Sequence, residues 1–131
     1  MAQVVDKEMP SQDEIASCKW LTESELEVYV LEYSRTGFQG GLNWYRSGSS
    51  NENLRQMEMF SGKKIDVPSL FIAGAQDWGS YQRPGALEGM QRDICTNMSK
   101  VEFVDNAGHW VQQEQHEKVV ELILSFMSKV S

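Results

Sequence analysis

Two side chains in this 131-residue chain have the types and settings of a proton-transfer pair. Asp77 lies in "AGAQDWG", directly after one apolar run, and His109 lies in "NAGHWVQQ", directly after another. A carboxylate that accepts a hydrogen bond from one ring nitrogen fixes the tautomer of an imidazole and stabilises its protonated form. The other nitrogen is then free to act as a base. Each residue also has a plainer use: an aspartate after a strand commonly makes a turn or a cap, and a histidine in Gly-His can be structural. The pairing gains weight because both residues stand one turn beyond a predicted strand. The other histidine, His116, falls on the polar side of the last helix near Glu114 and Glu117 and reads as a solvated residue.

The elements that must position the pair can be read around it. "VPSLFIAG" is apolar from Val67 to Ala73 except at Ser69, with Pro68 near its start and Gly74 at its end. A short run apolar on both faces predicts a buried parallel strand. "RPGALEGMQRDI" predicts a helix opened by Pro84 near its first turn. "KVEFVDNAG" predicts a second strand. "EQHEKVVELILSFMSKV" predicts a closing helix with Val119, Leu122, Ile123, Phe126, Met127 and Val130 as its apolar stripe. Strand, helix, strand, helix is an α/β order with a right-handed crossover. In open parallel sheets the chemistry lies past the carboxyl ends of the strands, where Asp77 and His109 both fall.

The first half reads as helices. Residues 1 to about 20 form an acidic opening segment, with a short helix after Pro10 capped by Ser11 and Glu14. "TESE" is a capping box of Thr22 and Glu25. Leu26, Tyr29, Val30 and Tyr33 then follow at helical spacing, and Gly37 is the stop, so a helix is expected over 23–36. In "FQGGLNWYR" the two glycines predict a tight turn that crowds Leu42, Trp44 and Tyr45. "SGSSNEN" predicts an exposed loop, and "LRQMEMFSGKKID" a helix over its first part.

Composition narrows the function classes. Hydrophobic residues make up 40% of the chain and charged residues 24%, the balance of a globular domain. A formal net charge of −7 argues against a nucleic-acid partner, which would need a basic face. No apolar run is long enough to span a bilayer. The N-terminus lacks the basic start and apolar core of a signal peptide, so a cytoplasmic setting is expected. Cys18 and Cys95 then read as two reduced thiols. Two cysteines and two histidines in no ligand-like spacing predict neither a metal site nor a cofactor site.

The order strand–Asp–helix–strand–Gly-His–helix resembles the last part of the α/β-hydrolase fold. "TGFQGGLNWYR" is similar to the cap segment of the soluble epoxide hydrolases, and "VPSLFIAGAQDWG" and "VEFVDNAGHWVQQEQ" resemble their acid and base segments. The resemblance runs from about residue 20 to the end. It implies that Tyr45 is the cap tyrosine that protonates the epoxide oxygen, Asp77 the triad acid, and His109 the base that activates water against an alkyl-enzyme ester. A phenol suits the first task, because the alkoxide formed on ring opening is far more basic than a phenolate. Phe38, Trp44 and Trp110 are expected to line the substrate pocket; for Tyr45 itself, packing beside Trp44 is the alternative.

The family's nucleophile, an aspartate on a sharp strand-to-helix turn, has no counterpart here. "AQDWGS" is the nearest string, but using Asp77 as nucleophile would leave His109 without its acid. The oxyanion-hole loop, a second cap tyrosine and most of the sheet are also missing, and two parallel strands make a poor core. The expectation is therefore the C-terminal portion of a longer enzyme, either truncated or part of a split chain. Residues 1–60 would be the back of a helical cap and 61–131 the last two parallel strands with flanking helices. The implied partners are a small epoxide and either the missing N-terminal half or further copies of this chain. Other outcomes are a non-catalytic remnant or interaction protein, or part of a haloalkane or haloacetate dehalogenase. The tyrosine in "NWYR" favours epoxide over halide.

Overall fold

The computed structural model describes Lys7 and residues 9–130, so the first six residues of the acidic opening segment lie outside the described part. Within residues 9–130 four helices come first: α1 (Gln12–Ser17), α2 (Glu23–Thr36), α3 (Gln39–Gly48) and α4 (Asn51–Glu58). The strand β1 (Ser69–Gly74) follows, then a one-turn 3-10 helix (Trp78–Tyr81) and α5 (Ala86–Gly89), which runs on into a π-helical turn (Met90–Ile94). The chain ends with β2 (Met98–Val104), the short α6 (Val111–Glu114) and α7 (His116–Val130).

Local chemistry explains the early helices. Ser11 and Glu14 form one complete capping box, and Thr22 and Glu25 form another. Each satisfies two backbone N–H groups that a helix start leaves free. Gly37 closes α2 at φ +69°, a conformation that costs glycine little. The chain does not turn at Gly40 and Gly41 as their sequence suggests. The reversal is made at Gly37, and α3 runs through both glycines, with Tyr33 and Phe38 stacked at 4.4 Å across the corner. The expected loop after α3 shrinks to Ser49 and Ser50, because the Ser50 hydroxyl accepts the N–H of Asn53 and starts α4 at Asn51.

The second half is built on a parallel pair. β1 and β2 run side by side from Leu70 opposite Lys100 to Gly74 opposite Val104, with a bulge near Ser69. β1 begins two residues later than its apolar run, and most of it is only half-buried. Pro84 does not open the intervening helix. It precedes Gly85, which caps α5 at φ +81°. The closing helix is broken at Gln115 into α6 and α7, so the apolar stripe belongs to α7 alone. The buried apolar residues described are Ala73, Cys95, Val104, Ala107 and Val119. All lie in or beside the sheet and α7: Cys95 at the amino end of the strands, Ala73, Val104 and Ala107 at the carboxyl end from which the loops to Asp77 and His109 start. One hydrogen bond at 3.0 Å, from Gln113 Nε2 to the Tyr29 hydroxyl, ties α6 to α2.

Candidate active site

The strand register decides where the two loops start. Gly74 and Val104 stand level at the carboxyl end of the sheet, and the chain then runs three residues to Asp77 and five to His109. The loops are stitched together by Ala75 N–H donating to the Val104 carbonyl and Gln76 N–H donating to the Ala107 carbonyl, both at 2.9 Å. Asn106 makes the β2 turn at φ +57°, a left-handed conformation that asparagine tolerates. Its carbonyl accepts from Gln115 Nε2 at 3.2 Å.

These loops bring Asp77 Oδ1 to 3.2 Å from His109 Nδ1. The same oxygen accepts the Gly79 N–H at 2.9 Å, so Asp77 also caps the 3-10 helix. The plainer use and the chemical one are met by one side chain. The cap anchors the carboxylate before it meets the histidine, and the Asp77 side chain is only 14% exposed. The His109 side chain is 59% exposed, its ring edge-on to Trp110 at 5.2 Å. Donation from Nδ1–H to Asp77 selects the tautomer that leaves Nε2 with a free lone pair.

Glu114 and Gly74, which sequence patterning had not marked as site residues, complete the setting. The Glu114 carboxylate accepts the N–H of Gly108 at 2.7 Å and of Trp110 at 2.9 Å, on either side of His109. Read from sequence, Glu114 blends into the closing helix; the charge just beyond "HWVQQ" is the only hint. Gly74 is buried against the carbonyls of Ala107 and Gly108.

The cap-side candidates stand elsewhere. Tyr45, on α3, is 75% exposed, and Trp44 and Phe38 are 79% and 64% exposed. These three line one open groove of about 380 Å³ with Tyr33 and Leu42. Trp110 lines another of about 280 Å³ with Trp20, Leu26 and Tyr29. The structure thus brings Asp77, His109 and Trp110 together and sets Phe38, Trp44 and Tyr45 in a separate group. His116 is exposed at the start of α7. Cys18 and Cys95 are unpaired, and among the described residues no cluster of three or more His, Cys, Asp or Glu could hold a metal ion. No described helix is long and apolar enough to cross a membrane.

No protein-family model matches the chain. Epoxide hydrolase A of Mycobacterium tuberculosis is 37% identical over 114 residues, which cover 83% of this chain and 32% of the relative. Among solved structures, potato epoxide hydrolase I aligns over 91% of this chain and 37% of its own, with a TM-score of 0.76 at 29% identity. Epoxide hydrolase A from Mycobacterium thermoresistibile aligns over 87% of this chain and 34% of its own, with a TM-score of 0.72 at 37% identity. The chain spans about a third of the length of the curated relatives it matches. In sequence and in its parallel strand pair, the chain matches a C-terminal portion of the epoxide hydrolases and of their α/β-hydrolase fold.

Proposed function

We propose that this chain supplies the acid–base half of an epoxide hydrolase site, with Asp77 and His109 as the couple and Tyr45 as the proton donor. The observation that carries the reading is the 3.2 Å contact between Asp77 Oδ1 and His109 Nδ1 at the carboxyl ends of two parallel strands. The nucleophilic carboxylate comes from an N-terminal portion outside this chain. It attacks an oxirane carbon, the C–O bond breaks, and the oxygen takes the Tyr45 proton, giving an alkyl-enzyme ester. His109 Nε2 then takes a proton from water as the oxygen of that water adds to the ester carbonyl. Collapse of the adduct breaks the ester C–O bond; the leaving alkoxide takes the imidazolium proton from His109, and the proton lost as the carboxyl ionises returns to the Tyr45 phenolate, which releases the diol and regenerates the carboxylate. Asp77 stabilises the imidazolium formed in this step.

On this reading residues 1–60 are cap and 61–131 are core, in a cytoplasmic enzyme where Cys18 and Cys95 stay reduced. The substrate approaches between Tyr45 and His109, with Phe38, Trp44 and Trp110 as apolar walls. Support for the cap tyrosine comes from its exposure on α3, which leaves the phenol open to a ligand. The test is turnover of a reporter epoxide by the 131-residue chain, alone and mixed with the N-terminal portion of a related hydrolase. Diol formation only in the mixture is expected. Turnover by the chain alone would overturn the placement of the nucleophile, with Asp77 the first residue to substitute.

Among the described residues the sheet has two strands, each with one edge unpaired by another strand, and this, together with exposed Val67, Ile123 and Leu124, favours self-association when the N-terminal portion is absent. A clean monomer at micromolar concentration would count against a missing portion.

A further inference from the structure

The His109 side chain is more than half exposed, yet it holds a hydrogen bond to a residue 32 positions away. Besides the Asp77 bond and the edge contact with Trp110, little packing holds this imidazole, so the backbone that carries it matters to its orientation. That backbone is gripped from two sides. From β1, Gln76 N–H donates to the Ala107 carbonyl at 2.9 Å, and Gly74 packs directly on the carbonyls of Ala107 and Gly108. From the other side comes Glu114, half-buried at the end of α6. Its Oε2 accepts the Gly108 N–H and its Oε1 the Trp110 N–H.

We infer that Glu114 is a positioning residue: its ionised carboxylate spans the two peptide N–H groups that flank His109 and so aims Nδ1 at Asp77 and Nε2 away from it. Glu114 touches no reacting atom. The two bonds need two acceptors at one fixed spacing, which an ionised carboxylate provides. A glutamine would keep one acceptor and press its amide hydrogens against the second N–H. A helix cap alone would need only the Trp110 bond, since Trp110 is the N-cap residue of α6. The Gly108 bond reaches past the helix start to the far side of His109, and capping does not account for it. The catalytic consequence rests on the acid–base role proposed above for His109, whereas the geometric one does not.

The experiment reads the ring and not the turnover. In the 131-residue chain labelled with 15N-histidine only two imidazoles are visible, and His116→Gln assigns them. With Glu114 intact, the His109 ring is expected as the Nδ1–H tautomer. Glu114→Gln should shift its nitrogen signals toward the tautomer mixture of free imidazole, in the same direction as Asp77→Asn, while the far-UV circular dichroism stays unchanged. Ring signals that stay at the wild-type positions in a folded Glu114→Gln chain would overturn the inference and leave Glu114 a cap only. Should that variant not fold, amide exchange in the unsubstituted chain decides. The Gly108 and Trp110 amides are expected to exchange at least about tenfold slower than in an unstructured peptide of the same sequence, and equal rates would overturn the inference. Failure of epoxide turnover leaves both readouts untouched, so the two proposals fail separately.

Discussion

A Cβ placed on Gly74 would lie 2.2 Å from the carbonyl oxygen of Gly108. The end of β1 therefore presses bare backbone against the loop that carries His109, and the Asp77–His109 couple depends on that closeness. Gly74→Ala forces the two loops apart. The expected cost is about 1–3 kcal/mol of stability, the usual range for overpacking. Loss of the His109 Nδ1–H tautomer should accompany it. Denaturant melts and ring 15N spectra check both, and a variant with wild-type stability would show that the loops yield freely.

On the proposed reading, His109→Gln removes the base and leaves the nucleophile, which an N-terminal portion would supply. In the complemented enzyme the ester should still form and then persist, because general-base help of roughly 10²-fold or more is lost from its hydrolysis. Intact-mass spectrometry of the partner portion should show a rise by the mass of one epoxide. Normal steady-state turnover by this variant would remove His109 from the mechanism.

Tyr45→Phe deletes one hydroxyl from a side chain that is 75% exposed. Stability should change by no more than about 0.5 kcal/mol. Ester formation in the complemented enzyme should slow by roughly 10²-fold, the lower range for losing a general acid. Single-turnover kinetics separate this from the later step. An unfolded variant would mean that the ring packs and does not donate.

The start of α2 carries a pH dependence of known sign. The Thr22 hydroxyl, and after it the Thr22 N–H, hold the Glu25 carboxyl below its ordinary value of 4.5. A carboxyl depressed on folding adds stability that is present above its unfolded value and is lost as pH falls through the folded one. Helicity of the α2 segment should therefore weaken on acidification from about pH 5 downward. Glu25→Gln should remove this part of the acid response, which a circular-dichroism titration of both chains would reveal.

Much of this protein is written locally. Ser11 with Glu14 and Thr22 with Glu25 announce two helix starts, and Gly37 announces a stop, because caps are satisfied within three or four residues. The alternation of apolar runs with helical stripes determines a parallel pair, and a parallel pair places the residues after both strands at one edge. Asp77 and His109 could therefore be put together from the sequence alone. Where local signals competed, they misled: Gly40 and Gly41 look like a turn, but the reversal had already been made at Gly37. Only the tertiary structure decided that Gly74 meets the Ala107 and Gly108 carbonyls, that one oxygen of Asp77 serves both Gly79 and His109, and that Glu114 folds back to grip the peptides around His109. The first and part of the second depend on strand register across some 30 residues of chain, and the last on a break at Gln115 within an otherwise helical run. Periodicity encodes which face a residue takes, but not the ångström-scale approach of two loops, which is set by what their backbones can pack against.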